Sequence, residues 1–213
     1  MKYRNTLILI ALTLFTWSCG ESNKNEDGKS ELSEMSNLEK EHLLEKEAYA
    51  DSVNMGLMED TFKGSARRET KGKVGSAQIT VNYGSPGKRG RVIWNGLVSY
   101  DQVWVSGSHW ATAVTFFDDV MIDGKDVSAG MYGFFTIPGR EEWILILNKN
   151  YDQHLADEYD ERDDVARVTV TPKALDETVH RLTYSIDETS NRSGNLNLSW
   201  DQIKVSLPIE TKE

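Results

Sequence analysis

From Gly64 onward, apolar and polar residues alternate in short runs separated by Gly, Pro and Asp, the spacing that sets every second side chain on one face of a strand. In 77–83, Ala77, Ile79, Val81 and Tyr83 share one face, and Gln78, Thr80 and Asn82 share the other. Asp123-Gly124, inside 118–125, is a two-residue hairpin signal because both residue types accept positive φ. The runs 131–137 and 143–148 flank Pro138-Gly139-Arg140-Glu141-Glu142 and predict a second hairpin. Trp143 to Leu147 is apolar on both faces, which predicts a strand covered on both sides. Three more alternating runs follow at 165–171, 179–187 and 195–207, the last predicted to break into two strands at Trp200-Asp201-Gln202. His180 shares its face with Leu182 and Tyr184, which predicts a satisfied core histidine. About ten strands with closely spaced turn signals predict an all-β domain over 64–213, an antiparallel β-sandwich.

The first 63 residues are patterned differently. Lys2 and Arg4, the apolar run Leu7 to Phe15 and the small Ser18 predict a secretory signal peptide over 1–18. Its apolar core is shorter than the roughly 20 residues a spanning helix needs. Cys19, the one cysteine of the chain, stands at the cleavage point. Its placement resembles the bacterial lipobox, with Thr16 and Trp17 where Leu and a small residue are usual, and this implies lipidation at Cys19 and a membrane-anchored lipoprotein. A lipidated Cys19 leaves no thiol for disulfide, nucleophile or metal chemistry. Residues 19–35 read as a flexible, disordered tether, since 20–30 is wholly polar. Over 36–63 we expect one short charged helix and a linker. Ser36-Asn37-Leu38-Glu39 fits a capping box and the helix should run to about Val53. Its stripe of Leu38, Leu43, Leu44, Ala48 and Tyr49 is narrow, so we expect a spacer packed loosely on a domain that folds alone from about residue 65.

Charge narrows the partners. The 213 residues carry 24 basic and 34 acidic side chains, a net charge of -10. Nucleic acid is disfavoured as a partner because binding there needs clustered cations, and a polybasic membrane-surface helix is disfavoured for the same reason.

Catalytic signatures are missing: there is no Gly-x-Ser-x-Gly, no His-Glu-x-x-His and no Gly-x-x-x-x-Gly-Lys-Ser/Thr. The loop Gly84 to Arg91 carries Lys88, Arg89 and Arg91, a candidate cradle for an anion or simply a tight turn paired with acids. Two other segments hold metal-competent groups, Gly107-Ser108-His109-Trp110 and Asp152 to Asp160. Brought together, His109, His154 and Asp157 would make an open divalent metal site, with Glu158 as a base. The alternative is polar packing, each imidazole hydrogen-bonded to a neighbouring acid. We expect the loops after Val105 and Asn150 to meet at one rim, gathering His109, Trp110, Lys149, His154, Asp157 and Tyr159, with Arg89 and Arg91 reaching the same place. Among Trp94, Trp104, Trp110, Tyr100 and Tyr132, one or two open rings could serve as a platform for a sugar or peptide.

Five strings together resemble the domain-of-unknown-function 2911 family, found mostly in bacterial lipoproteins. They are 74–139, EEWILILNKN (141–150), DQHLADEYD (152–160), LTYSID (182–187) and LSWDQIKVSLPI (198–209), so the likeness covers roughly 65–209. Family members commonly have RTGANEAT where this chain has VSGSHWAT, and often lack His154. The chain therefore resembles a variant carrying both histidines. The family implies an envelope address, at the outer membrane or the periplasmic face, and no activity. The expectation is a non-enzymatic binding or interaction module that takes a small polar or anionic ligand or an envelope protein and needs no cofactor. It touches the membrane only through its lipid. The alternatives are a metal-dependent enzyme, such as a hydrolase, built on His109, His154 and Asp157, and a purely structural envelope protein.

Overall fold

The computed structural model describes residues 48–212. The signal, Cys19, the tether and the start of the helix expected over 36–53 lie outside them. Among the described residues no helix is long and apolar enough to cross a membrane. Ten strands are β1 (Ala66–Val74), β2 (Ala77–Ser85), β3 (Thr112–Phe116), β4 (Val120–Ile122), β5 (Lys125–Val127), β6 (Gly130–Ile137), β7 (Trp143–Asn148), β8 (Asp164–Val170), β9 (Lys173–Glu188) and β10 (Ser193–Thr211). They form a six-stranded sheet, β1-β2-β3-β6-β7-β8, and a four-stranded sheet, β5-β4-β10-β9. Every named pairing is antiparallel.

The two sheets face each other across one core. From the first sheet come Ile79, Val81, Tyr83, Val114, Phe134, Trp143 and Leu145; the second answers with Leu182, Tyr184, Leu198, Trp200, Val205 and Leu207. Within this core Trp94, Trp104, Trp143 and Trp200 lie with ring centroids 4.8 to 6.1 Å apart, mostly edge to face, the arrangement aromatic quadrupoles favour. Along one side the sheets close on each other: the Thr70 hydroxyl donates to the Tyr184 carbonyl at 3.3 Å. Gly72 lies there against Ile186, where a Cβ would stand 2.7 Å from the Ile186 Cβ.

The hairpin expected at Asp123-Gly124 is the β4–β5 turn, with φ of 51° and 72° at its two residues. β6 and β7 form the second hairpin. Trp143, Leu145 and Leu147 enter the main core, while Ile146 on the opposite face enters a second, smaller cluster. The expected break at 200–202 is instead a pair of register shifts within one continuous strand: β10 runs 19 residues and bulges on either side of Asp201, whose φ is 54°. A bulge bends a strand without ending it, so the first part of β10 pairs with β9 and its end with β4.

His180 departs from expectation. It is exposed, whereas the next residue, Arg181, is wholly buried. At this point of β9 the apolar face runs past the core, and the opposite face is covered by the segment entering the domain. That segment is helical over 48–54 and buries Ala50 and Val53. Asn54 clasps β9 through both backbone groups of Arg181, accepting from its N–H at 2.7 Å and donating to its carbonyl at 3.0 Å. The Arg181 guanidinium donates to Asp60 Oδ1 at 2.7 Å and to the carbonyls of Phe62, Gly64 and Ser85. Its central carbon lies over the Tyr49 and Phe62 rings, 5.3 and 5.1 Å from their centroids. The strap over 48–64 is thus a component of the domain, tied to it by a buried ion pair, and not a loose spacer.

Candidate functional site

Side chains alternate across β6 and β7, so Phe134 and Leu145 enter the main core while Phe135 and Ile146, paired across the two strands, face outward. The outward pair cannot stay in water. It is covered by the two long connections, β2 to β3 and β7 to β8, which contribute Val105 and Ala111 from one side and Ala156 and Tyr159 from the other. This satellite cluster brings the histidine segments together. Ala111 N–H donates to the Gln153 carbonyl at 3.0 Å, Leu155 N–H donates to the His109 carbonyl at 2.6 Å, and Trp110 and His154 form an antiparallel bridge between them.

Each loop is braced from within. Gln153, buried, donates from Nε2 to the Asn150 carbonyl at 2.9 Å and accepts the Glu158 N–H on Oε1 at 3.2 Å. Tyr159 packs on Phe135 at 5.3 Å and donates to Asp164 Oδ2 at 2.8 Å. Burial and the Asp164 carboxylate push its phenol well above the ordinary value. Asp160 caps the single turn Glu161–Asp163, and hydrogen bonds from Arg162 hold its carboxyl down at about 2. On the other loop Ser106 takes two hydroxyl bonds on its carbonyl, from Thr112 at 3.0 Å and from buried Tyr184 at 2.7 Å. Gly107 and Gly84 allow the loop to lie directly on the end of β2. A Cβ on Gly84 would stand 2.4 Å from the Ser108 hydroxyl and 2.5 Å from its carbonyl oxygen.

What this scaffold presents is open. His109, Trp110, His154, Leu155 and Asp157 are all exposed, Trp110 at 52%. The imidazole centroids of His109 and His154 are 6.5 Å apart, and Trp110 stands edge-on to His154 at 5.7 Å. Among the described residues neither imidazole hydrogen-bonds to a protein group, so the polar-packing alternative finds no acid partner. His109 and Leu155 both have left-handed backbones, with φ of 65° and 55°, uncommon for residues other than glycine.

The other candidates separate from this rim. Asp157 does not complete a metal set: among the described residues no group of three or more His, Cys, Asp or Glu side chains is placed to hold one ion. Tyr159 is a strut beneath the loop, and Lys149 is exposed, its N–H donating to the Asp163 carbonyl. Lys88 pairs with Asp201 at 2.5 Å, and Arg91 turns back onto the carbonyls of Gly87 and Lys88. Desolvation and the neighbouring Arg89 charge lower the Arg91 pKa. Arg89 lines a groove of about 380 Å³ with Val53, Met58, Asp60 and His180, sharing no lining residue with the histidine loops. Of the aromatic candidates, Trp94 and Trp104 join the core cluster, and Tyr100 is half-buried beneath Arg140. Trp110 alone of these rings is open. Gln153 and Gly84 were not singled out in the sequence. Their signal was present only as a Gln inside a candidate loop and a Gly at a strand end.

A family model described as "Protein of unknown function (DUF2911)" matches residues 65–209. No curated protein and no solved structure matches the chain.

Proposed function

The chain belongs to the DUF2911 family, and from that premise we propose that it is a non-enzymatic binding module of the cell envelope, held to the membrane by a lipid on Cys19. Its ligand lies on the rim formed by His109, Trp110 and His154. One observation carries the reading: two separate loops are bonded together, yet among the described residues the side chains of His109, Trp110 and His154 are left exposed and without hydrogen-bond partners. A structural clamp would bury or satisfy them. An open indole flanked by imidazoles suits a polyhydroxylated ring, whose apolar face stacks on the aromatic while its hydroxyls reach the ring nitrogens. Arg89 lines the groove beside Asp60 and His180, and Arg91 bonds back onto its own loop, which favours a neutral ring over an anion. The hydroxyl next to His109 in sequence supports binding over catalysis, because Ser108 Oγ is buried against Gly84 with no hydrogen-bond partner among the described residues and neither imidazole bonds to it.

The lipid anchor rests on Lys2, Arg4, the run Leu7 to Phe15 and the Ser18-Cys19 junction. Wild type should incorporate labelled fatty acid and Cys19→Ala should not. For the rim, titration with soluble polysaccharide and peptidoglycan fragments, followed by indole fluorescence, should show saturable binding that Trp110→Ala weakens at least tenfold with unchanged Tm. Binding indifferent to Trp110→Ala would place the ligand site elsewhere.

A further inference from the structure

In a regular strand, neighbouring side chains point to opposite faces. Trp110 is the residue bridged to His154, so an extended backbone at 109 would turn His109 away from it. The left-handed conformation of His109 brings its ring round to 6.5 Å from that of His154. The loops thus adopt an unfavourable backbone at the residue where doing so pairs two imidazoles, and such outliers persist where the surroundings over-determine them. No carboxylate or carbonyl occupies the nitrogens of either ring among the described residues, so both remain available as ligands.

We propose that His109 and His154 together bind one divalent transition-metal ion of the imidazole-preferring class, Zn²⁺, Ni²⁺ or Cu²⁺, leaving its remaining positions to water or to the hydroxyls of a bound ligand. The proposal deepens the rim reading and rests on the rim being the binding surface. With nitrogen-to-metal bonds of about 2.0–2.1 Å, each ring centroid lies about 3.2 Å from its ion, so two rings on one tetrahedral ion have centroids about 5 Å apart. The observed separation of 6.5 Å exceeds this by about 1.5 Å, within the reach of a change of side-chain rotamer at two exposed residues. Nitrogen ligands select this class over Mg²⁺ and Ca²⁺, which take oxygen. Metal-binding histidines usually donate their second ring nitrogen to a protein acceptor that orients them. Neither does so here, so the ion should exchange readily.

The test is calorimetric titration of the tag-free protein with Zn²⁺, with Mg²⁺ as control and no organic ligand present. One ion per chain is expected. His109→Ala and His154→Ala should each weaken binding at least tenfold, while His180→Ala leaves it unchanged and all three variants keep the wild-type Tm. Bound Cu²⁺ should quench the indole of Trp110, which stands 5.7 Å from His154, and Trp110→Phe should abolish that quenching. Absence of Zn²⁺ binding, or binding that survives the double substitution His109→Ala, His154→Ala, overturns the proposal. Because no organic ligand is used, that result leaves Trp110-dependent binding of a polyhydroxylated ring standing or falling by its own titration.

Discussion

Relieving the backbone at His109 separates stability from binding. Glycine carries no penalty at a φ of 65°, whereas a side chain there costs on the order of 1 kcal/mol. His109→Gly should therefore melt no lower than wild type, and a thermal scan checks this, while Zn²⁺ affinity falls as in His109→Ala. Gly84 should behave in the opposite way. A methyl group there meets the Ser108 hydroxyl and carbonyl oxygen at 2.4 and 2.5 Å, and one of these is backbone that cannot rotate aside. Gly84→Ala should cost about 1–3 kcal/mol by overpacking and should shift the backbone resonances of His109 and His154 in an NMR spectrum, because it lifts the loop that carries them. The chemistry of the rim could be read from residue type, since His109, Trp110 and His154 are conspicuous in any sequence. Their convergence could not: it depends on Phe135 and Ile146 needing cover on the outer face of the first sheet, a demand that exists only once the sheet has formed.

Among the elements, the strap over 48–64 changes most between sequence and structure. Its apolar stripe is narrow, and from periodicity alone it reads as a spacer. What binds it is Arg181, 121 residues away from Asp60, and no local pattern announces such a partner. Removing one member of a buried ion pair typically costs 3–5 kcal/mol. Asp60→Ala should fall near the lower end, about 3 kcal/mol, because three carbonyls and two aromatic faces still hold the guanidinium. Denaturant unfolding measures it, and deletion through residue 60 should be at least as damaging. β2, with clean alternation, and β7, a run apolar on both faces, were legible. β1 was not, because Arg68, Thr70 and Gly72 occupy positions on its inward face. The first half of β9 was hidden by Lys173, Asp176 and Glu177, the charges that blunt an exposed sheet edge. The bulges around Asp201 looked like a break because a polar pair between apolar runs is also how a turn is written.

For the molecule as a whole, two antiparallel sheets close around a core dense in aromatic rings, and the loops over the outside of the larger sheet carry the open site. Among the described residues tryptophan is sharply divided between these regions. Trp143 and Trp200 are about 99–100% buried and Trp94 and Trp104 half-buried against them, whereas Trp110 is 52% exposed. Of the five tryptophans described, acrylamide should reach Trp110 first, so Trp110→Phe should remove the readily quenched emission of that ring while leaving the protected fraction intact. A Stern–Volmer plot of the two proteins tests this.

The four clustered indoles also make the core an optical device. At centroid separations of 4.8 to 6.1 Å their excited states cannot behave independently: light absorbed by one ring is shared among all four, and their transition dipoles, held at fixed angles, should give exciton-split bands in the circular dichroism spectrum. The part that couples Trp200 to Trp94 and Trp104 exists only while both sheets are docked, since Trp200 alone of the four lies on the second sheet. The chain therefore carries its own reporter of sheet-to-sheet closure, spectrally distinct from the solitary indole that marks the rim.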